Sequence, residues 1–552
     1  MRVERDLVVP MRDGVALRAD AYLPDDGPPA PAILSRTPYD KGFQLTPVAA
    51  IDPELAVDAG FALVCQDVRG QYASGGDFNP FLSEGQDGYD SVEWTAAQPW
   101  CDGRVGMSGR SYPAATQWRA ALEQPPHLEA IFPVVVGSDY YDGWLYSGGA
   151  FELGFNLFWV HLMTDPKARG SLDEHYRHLP LSDPPLLAES PAGAFYREWL
   201  AHPTYDEHWR RLSLRGRYER VQVPAYNVGG WFDLFLGGTL ENFTSMRDHG
   251  GGATARSDTR LLVGPWAHGS AYGSYPDHSF KEFGPTAHVD LAEVQLEFFG
   301  RHLGGGEPSA GDEPPVRLFV MGANRWRDEA DWPLARARSE RWYLHGGEGE
   351  RALSPDPPGP EPPDEYVYDP RDPAPTVGGP TSLPGRFLGT NAGPLDQAAV
   401  ERRPDVLVYS SAPLQRELEV TGPLELVLHA ATSAPDTDFV AKLCDVDPEG
   451  RSRILTEGVL RARYRYGFER AAAVEPGRVY EFRIDLIATC NLFLPGHRIR
   501  LVVTSSSFPR LDRNANSGLP LGKDVEDSLR AARQRVVHDA ARPSHLVLPV
   551  VR

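Results

Sequence analysis

The sequence predicts an α/β protein: a mostly parallel sheet with helices on both faces, interrupted by a helical insertion and followed by a C-terminal β jelly-roll domain. Three observations carry the prediction. Strand-like and helix-like runs alternate over residues 1–139 and again over 221–337, which are read as two parts of one sheet domain. Aromatics and histidines crowd residues 140–220 with helical spacing and no good strand run, as in a cap inserted over the sheet. Over 338–552 the texture changes to short alternating strands separated by turn residues, the pattern of a β-sandwich or jelly roll.

In the first part, "VALRADAYL" and "PAILSR" read as strands and "GFALVCQDV" as a buried strand. "DGYDSVEWTAAQ" follows as an amphipathic helix, "GRVGMSG" as a short strand, "YPAATQWRAALEQ" as a helix and "LEAIFPVVV" as another buried strand. Strands that are apolar almost throughout suit a sheet covered on both faces. The alternation resumes with "PAYNVGGW", "GTLENFTSMRDHG", "TRLLVGPW", "LAEVQLEFFGRHL" and "VRLFVMG". Beyond the proline-rich "SPDPPGPEPPDEY", the strand runs are "DVLVYSS", "LELVLHAA", "DFVAKLCDV", "VLRARYRY", "YEFRIDL" and "RIRLVVTSS".

Composition narrows the function. The 552 residues are 41% hydrophobic and 24% charged, ordinary for a globular chain. With 55 basic against 76 acidic residues the net charge is −21, which excludes nucleic acid and an anionic membrane surface as expected partners. No apolar run is long enough to span a bilayer, and "MRVERDLVVPMRDGV" lacks a secretory core, so a cytoplasmic location is expected. Cys65, Cys101, Cys444 and Cys490 form no C-x-x-C pair; Cys65 and Cys444 sit in strand-like runs as buried free thiols. The 16 histidines show neither H-E-x-x-H nor a cluster along the chain, so no metal and no cofactor is expected.

The segment "VGMSGRSYPAATQW" places Ser108 and Ser111 in a strand–turn–helix context. A nucleophile elbow needs a small residue two before the serine, which Gly109 supplies, and a small one a helical turn later, which Ala114 supplies. Pro113 is tolerated in the first helical turn, where its missing N–H has no partner to lose. Ser108 still lies on the strand, so Ser111 is the expected nucleophile. Asp233 follows the strand "PAYNVGGW" and His268 follows "TRLLVGPW". Serine, acid and histidine thus occur in the chain order of α/β-hydrolases, each just beyond its own strand. His268 is the expected base and Asp233 its orienter. The Tyr112 N–H, next after the nucleophile, is one expected oxyanion donor. Tyr39 in "RTPYDK" reads equally as a phenolic donor or as an aromatic packed in a turn.

These residues sit within longer motifs: "RTPYDK", "QDVRGQYASGGDF", "WCDGRVGMSGRSY", "GWFDLF", "GPWAHG", "VRLFVMGANRWRDEADWPL" and "LPGHRIRLVVTSSSFPRLDRNANSG". In order and over essentially the whole length they resemble the cocaine esterase-like group of the X-prolyl dipeptidyl-peptidase and α-amino-acid ester hydrolase family. The resemblance implies an α/β-hydrolase core with a cap and a jelly-roll domain, the Ser111–Asp233–His268 triad, and an oxyanion hole of the Tyr39 hydroxyl and Tyr112 N–H. It also implies an acyl pocket lined by Trp144, Trp159 and Phe235. The chain departs from the family at Ala114, where glycine is usual, and at Arg110, where a small or apolar residue is common. Asp233 is followed by Leu234 and Phe235, not by the acids with which the amino-acid ester hydrolases grip an ammonium.

The expected function is therefore a cofactor-independent serine esterase for small-molecule esters with a bulky apolar or aromatic acyl group, acting through an acyl-enzyme. A homodimer is left open. One alternative is an amide or X-Pro peptide hydrolase, with Asp139, Asp142 or Glu152 as ammonium anchor. Another is a carbohydrate-binding protein with an inactive hydrolase core.

Overall fold

The computed structural model describes residues 1–25, 27–42, 51–164, 172–188, 190–268, 283–304, 313–346, 351–383 and 391–552. Gly269, the last residue of "GPWAHG", lies outside them. The first sheet contains β1 (Arg2–Pro10), β2 (Ala16–Leu23), β3 (Ala30–Thr37), β4 (Ala62–Asp67), β5 (Cys101–Arg110) and β6 (Leu128–Val134). A separate ribbon, β7 (Tyr146–Ser147) and β8 (Ala150–Phe151), precedes its remaining strands: β9 (Tyr226–Phe232), β10 (Arg260–Ala267), β11 (Val316–Val320) and β12 (Arg325–Glu329). Their spatial order is β1-β2-β4-β3-β5-β6-β9-β10-β11-β12.

The strands from β4 to β11 in that order are parallel, and the flanking pairs β1–β2, β2–β4 and β11–β12 are antiparallel. Parallel pairing brings the carboxyl ends of β5, β9 and β10 to one edge, with Arg110 opposite Val134 and Ala267 opposite Phe232. Ligands bind at that edge in open α/β sheets. Every residue of the helix Tyr112–Leu122 is buried, because it packs between the sheet and the helix Glu84–Ala96. There the crossing is so close that a Cβ on Gly88 would stand 2.6 Å from the Ala120 Cβ.

Over 140–220 the main helices are Leu153–Thr164 and Ala192–Ala201, with short ones at Asp173–Tyr176 and Glu207–Arg210. The β7–β8 ribbon is not expected from helical spacing. It forms because Gly148 and Gly149 adopt φ of 51° and 79°, the left-handed pair that a tight hairpin turn requires.

The C-terminal sheet holds β13 (Arg338–His345), β14 (Ala352–Ser354), β15 (Asp364–Tyr368), β16 (Leu407–Ser410), β17 (Leu418–Thr432), β18 (Asp438–Val446), β19 (Ser452–Arg461), β20 (Tyr480–Phe493), β21 (Arg498–Thr504), β22 (Ala532–Val537) and β23 (His545–Val551). All its pairs are antiparallel except β14 with β16. Only the first three residues of "VLRARYRY" are strand: β19 stops at Arg461 and Ala462–Tyr464 is a 3₁₀ turn. Arg461 is drawn inward by Asp438 and Asp512, and the Arg463 N–H donates to Asp436, which bends the chain off the sheet. The four cysteines are buried and unpaired. Among the described residues no helix is long and apolar enough to cross a membrane.

Candidate active site

The chain leaves β5 at Arg110 and enters the helix Tyr112–Leu122 through Ser111, whose φ of 60° and ψ of −121° are strained for a residue with a side chain. The turn is held by the Ser111 N–H donating to the Val134 carbonyl at 2.9 Å. The Ser111 carbonyl in turn accepts from Ala114 and Ala115 at 2.9 and 3.0 Å. Gly109 has φ of 151°, and a Cβ there would fall 2.4 Å from the Pro113 Cβ. The small residue before the nucleophile therefore makes room for the proline after it, and Ala114 is wholly buried. Ser108 is buried on β5 with its hydroxyl donating to Gln295, away from the turn.

Asp233 follows β9 and is completely buried. Its Oδ1 accepts the Phe235 N–H at 2.7 Å, and its Oδ2 lies 2.8 Å from His268 Nδ1. His268 Nε2 lies 3.0 Å from Ser111 Oγ. A carboxylate that holds the Nδ1 proton leaves the Nε2 lone pair facing the serine hydroxyl, so this line of bonds can take the hydroxyl proton.

Tyr39 stands in the loop after β3. Its hydroxyl accepts the Trp159 indole N–H at 2.9 Å and has the Ser111 side chain as a polar neighbour. Burial pushes its phenol up to about 12, so it stays protonated and able to donate. Arg110 adds a positive charge near this phenol, which opposes that rise. The Tyr112 ring is turned away: its hydroxyl donates to Glu84 at 2.8 Å and accepts the Phe81 N–H at 3.0 Å. What Tyr112 offers at the turn is its backbone N–H, the first of the helix, which has no acceptor within it.

The three expected pocket residues divide into two groups. Trp144 stacks on Phe235 at 4.1 Å, and Phe235 meets the His268 ring edge-on at 5.1 Å. Trp159 lies on the other side, with Tyr39 and against the Tyr112 ring. Sequence reasoning missed Phe155, which packs edge-on against both His268 (6.1 Å) and Phe235 (5.7 Å). The available signal was spacing: Phe155 and Trp159 are one helical turn apart on one face.

The carboxylates weighed as ammonium anchors are engaged elsewhere. Glu152 is buried against Arg510 at 3.0 Å and accepts the Ser147 hydroxyl. Asp139 accepts the N–H groups of Tyr141 and Asp142 and the Tyr205 hydroxyl. Asp142 accepts the Gly148 N–H, and burial pushes its carboxyl up to about 6.

The fold also makes a histidine cluster that chain spacing conceals, with ligand atoms of Glu198, His202 and His208 within 4.8 Å of one another. The two imidazoles stack at 4.3 Å and 13°, so their in-plane lone pairs do not converge on one point. Asp206 lies 2.6 Å from His202 Nδ1, and the Arg211 guanidinium 3.4 Å from His208 Nδ1.

Fold and site together define a serine hydrolase built on an α/β-hydrolase core with a β-rich C-terminal domain. Residues 13–270 match the X-Pro dipeptidyl-peptidase (S15 family), and residues 308–547 match the X-Pro dipeptidyl-peptidase C-terminal non-catalytic domain. Cocaine esterase from Rhodococcus sp. (strain MB1 Bresler) is 38% identical, the match covering 100% of this chain and 99% of that protein. Two solved structures are similar over 100% of this chain and 96% of theirs: an aminopeptidase from a marine sediment Thaumarchaeota archaeon (28% identity, TM-score 0.86) and an α-amino acid ester hydrolase (27%, 0.84). The chain belongs to the X-Pro dipeptidyl-peptidase (S15) family.

Proposed function

We propose that the protein hydrolyses carboxylic esters with a bulky, uncharged apolar or aromatic acyl group, with Ser111 as nucleophile, His268 as general acid–base and Asp233 as its orienter. The observation that carries this reading is the continuous line Asp233–His268–Ser111, at 2.8 and 3.0 Å, with aromatic rings packed directly on the histidine. His268 takes the Ser111 proton as Oγ attacks the acyl carbon, then delivers it to the departing alcohol. The Tyr39 hydroxyl and Tyr112 N–H receive the charge that gathers on the acyl oxygen. Water, deprotonated by the same histidine, releases the acid. Trp144, Phe155 and Phe235 offer the acyl group an apolar wall.

An uncharged acyl group is favoured because Glu152 is already neutralised by Arg510 and Asp139 already accepts three hydrogen bonds. The domain reading goes with it: a core over 1–139 and 221–337, a cap over 140–220 that brings aromatics to the site, and a jelly roll over 338–552. Four buried free thiols fit a reducing, cytoplasmic setting. A second reading, release of an N-terminal amino acid or dipeptide, is kept because of the similar aminopeptidase.

The test is turnover of p-nitrophenyl acetate, phenyl benzoate and an X-Pro anilide, with fluorophosphonate labelling followed by intact mass. We expect aromatic-ester turnover and single labelling in wild type and Ser108→Ala, and neither in Ser111→Ala. Labelling that survives in Ser111→Ala would refute the assignment, and a preference for the anilide would move the reading to peptides.

A further inference from the structure

We propose that Trp159, carried by the cap, is a positioning residue for the oxyanion hole: its indole N–H orients and polarises the Tyr39 hydroxyl. The inference rests on the reading of Ser111 and Tyr39 given above, and goes beyond a pocket-lining role for this tryptophan.

The chemistry of the two groups sets the direction of the bond. An indole nitrogen only donates, so at 2.9 Å the Tyr39 oxygen must be the acceptor. A phenol has one proton, free to swing between two in-plane directions. With one side of the oxygen occupied by the indole N–H, the proton is left the other direction, and Ser111 is among the polar neighbours of this hydroxyl. The hydroxyl is thus aimed, before substrate arrives, at the region where an acyl oxygen would stand when Ser111 Oγ attacks. Donation into the oxygen also draws electron density from its O–H, which strengthens that group as a donor when negative charge develops opposite it. No bond is made or broken by Trp159, and the proton stays on Tyr39.

The same indole touches the other half of the hole. Its ring lies parallel to that of Tyr112, 5.9 Å away at 11°. Tyr112 cannot shift in response, since Glu84 and the Phe81 N–H hold its hydroxyl. Trp159 is itself gripped from the cap by Phe195 and Trp199, at 6.2 and 6.1 Å, and from the core by Phe78 at 6.4 Å. One side chain from the helix Leu153–Thr164 therefore holds the Tyr39 donor directly and packs on the ring of the residue that carries the other.

A positioning role and a pocket role leave different kinetic marks. A wall of the acyl pocket matters to KM and to large acyl groups. A brace on the oxyanion donor matters to kcat for every ester, including acetate, which is too small to need the wall. The experiment measures p-nitrophenyl acetate hydrolysis by wild type, Trp159→Phe, Tyr39→Phe and the double variant, each with the Ki of a trifluoromethyl ketone whose adduct carries an oxyanion. Tyr39→Phe is expected to lower kcat about a hundredfold. Trp159→Phe is expected to lower it about tenfold with KM unchanged and the ketone bound more weakly. In the Tyr39→Phe background the same change should move kcat and Ki less than about twofold, because the bond it removes is already gone. Benzothienylalanine at position 159, which replaces the N–H by sulfur in a ring of the same shape, should reproduce Trp159→Phe and covers the case in which phenylalanine packs poorly. Equal losses with and without the Tyr39 hydroxyl, or an effect confined to KM, would overturn the proposal. Wild-type acetate turnover in Tyr39→Phe would instead remove the oxyanion reading beneath it, a distinguishable failure.

Discussion

The sheet edge that carries Ser111, Asp233 and His268 and the seam where the cap meets the C-terminal β domain are built on opposite terms. At the edge, three residues project from the ends of three parallel strands, β5, β9 and β10, and most of what holds them is local backbone: the Ser111 turn, the Gly230 carbonyl under the Asp233 N–H, the Phe235 N–H on its carboxylate. At the seam, the contacts are buried charges from distant parts of the chain. Arg510 joins Glu152 of the cap, 358 residues away, to Glu457, which also meets Lys442. Arg461 joins Asp438 and Asp512, while Asp512 also accepts the Phe151 N–H. The edge carries the proposed triad, and the seam ties residues 151 and 152 to the C-terminal β domain. Damage to the edge should therefore appear in kcat with the fold intact, and damage to the seam first in stability.

The largest effect is expected at the edge. Asp233→Asn should lower kcat about 10⁴-fold, since a wrongly protonated imidazole cannot accept the Ser111 proton. Thermal unfolding should stay close to wild type, and an equally large loss of stability would break the contrast. Next is the seam: Arg510→Met strands the buried Glu152 and costs about 3–5 kcal/mol in urea unfolding. Wild-type stability in this variant would show that the seam charges do not hold the domains. Third, Phe155→Ala should reduce kcat/KM about tenfold more for phenyl benzoate than for p-nitrophenyl acetate, and equal losses would remove Phe155 from the acyl wall.

The smallest effect concerns pH. The Asp142 carboxyl, pushed up by burial to about 6 from an ordinary 3.8, holds its proton in the folded state over a range where the unfolded chain has lost it. Its contribution is therefore favourable at low pH and fades as pH rises through about 6. Asp142→Asn, which cannot ionise, should be more stable than wild type at pH 8 by about 1 kcal/mol and indistinguishable at pH 4. The same difference at both pH values would sink the assignment.

Much of the edge was legible in the chain. Buried strands announce themselves by continuous apolar runs, and a reactive residue just past such a run must lie at the sheet edge. This is how Ser111, Asp233 and His268 could be placed in order, and why Ser111, past the strand, was separated from Ser108, still on it. The β7–β8 ribbon went unread because two-residue strands have no period, although Gly148-Gly149 was a usable turn signal. Phe155 went unread because an aromatic helix looks alike on every face until a partner chooses one.

By itself, then, the sequence determined the layering of the chain and the three loops that carry Ser111, Asp233 and His268, because strand burial and turn chemistry act over a few residues. Tertiary structure alone decided the rest: that Trp159 would meet Tyr39, that Glu152 would be consumed by Arg510, and that Glu198, His202 and His208 would gather at all. Those outcomes depend on side chains between 4 and 358 residues apart meeting in a low-dielectric interior, where partner and direction are set by packing and not by any local pattern.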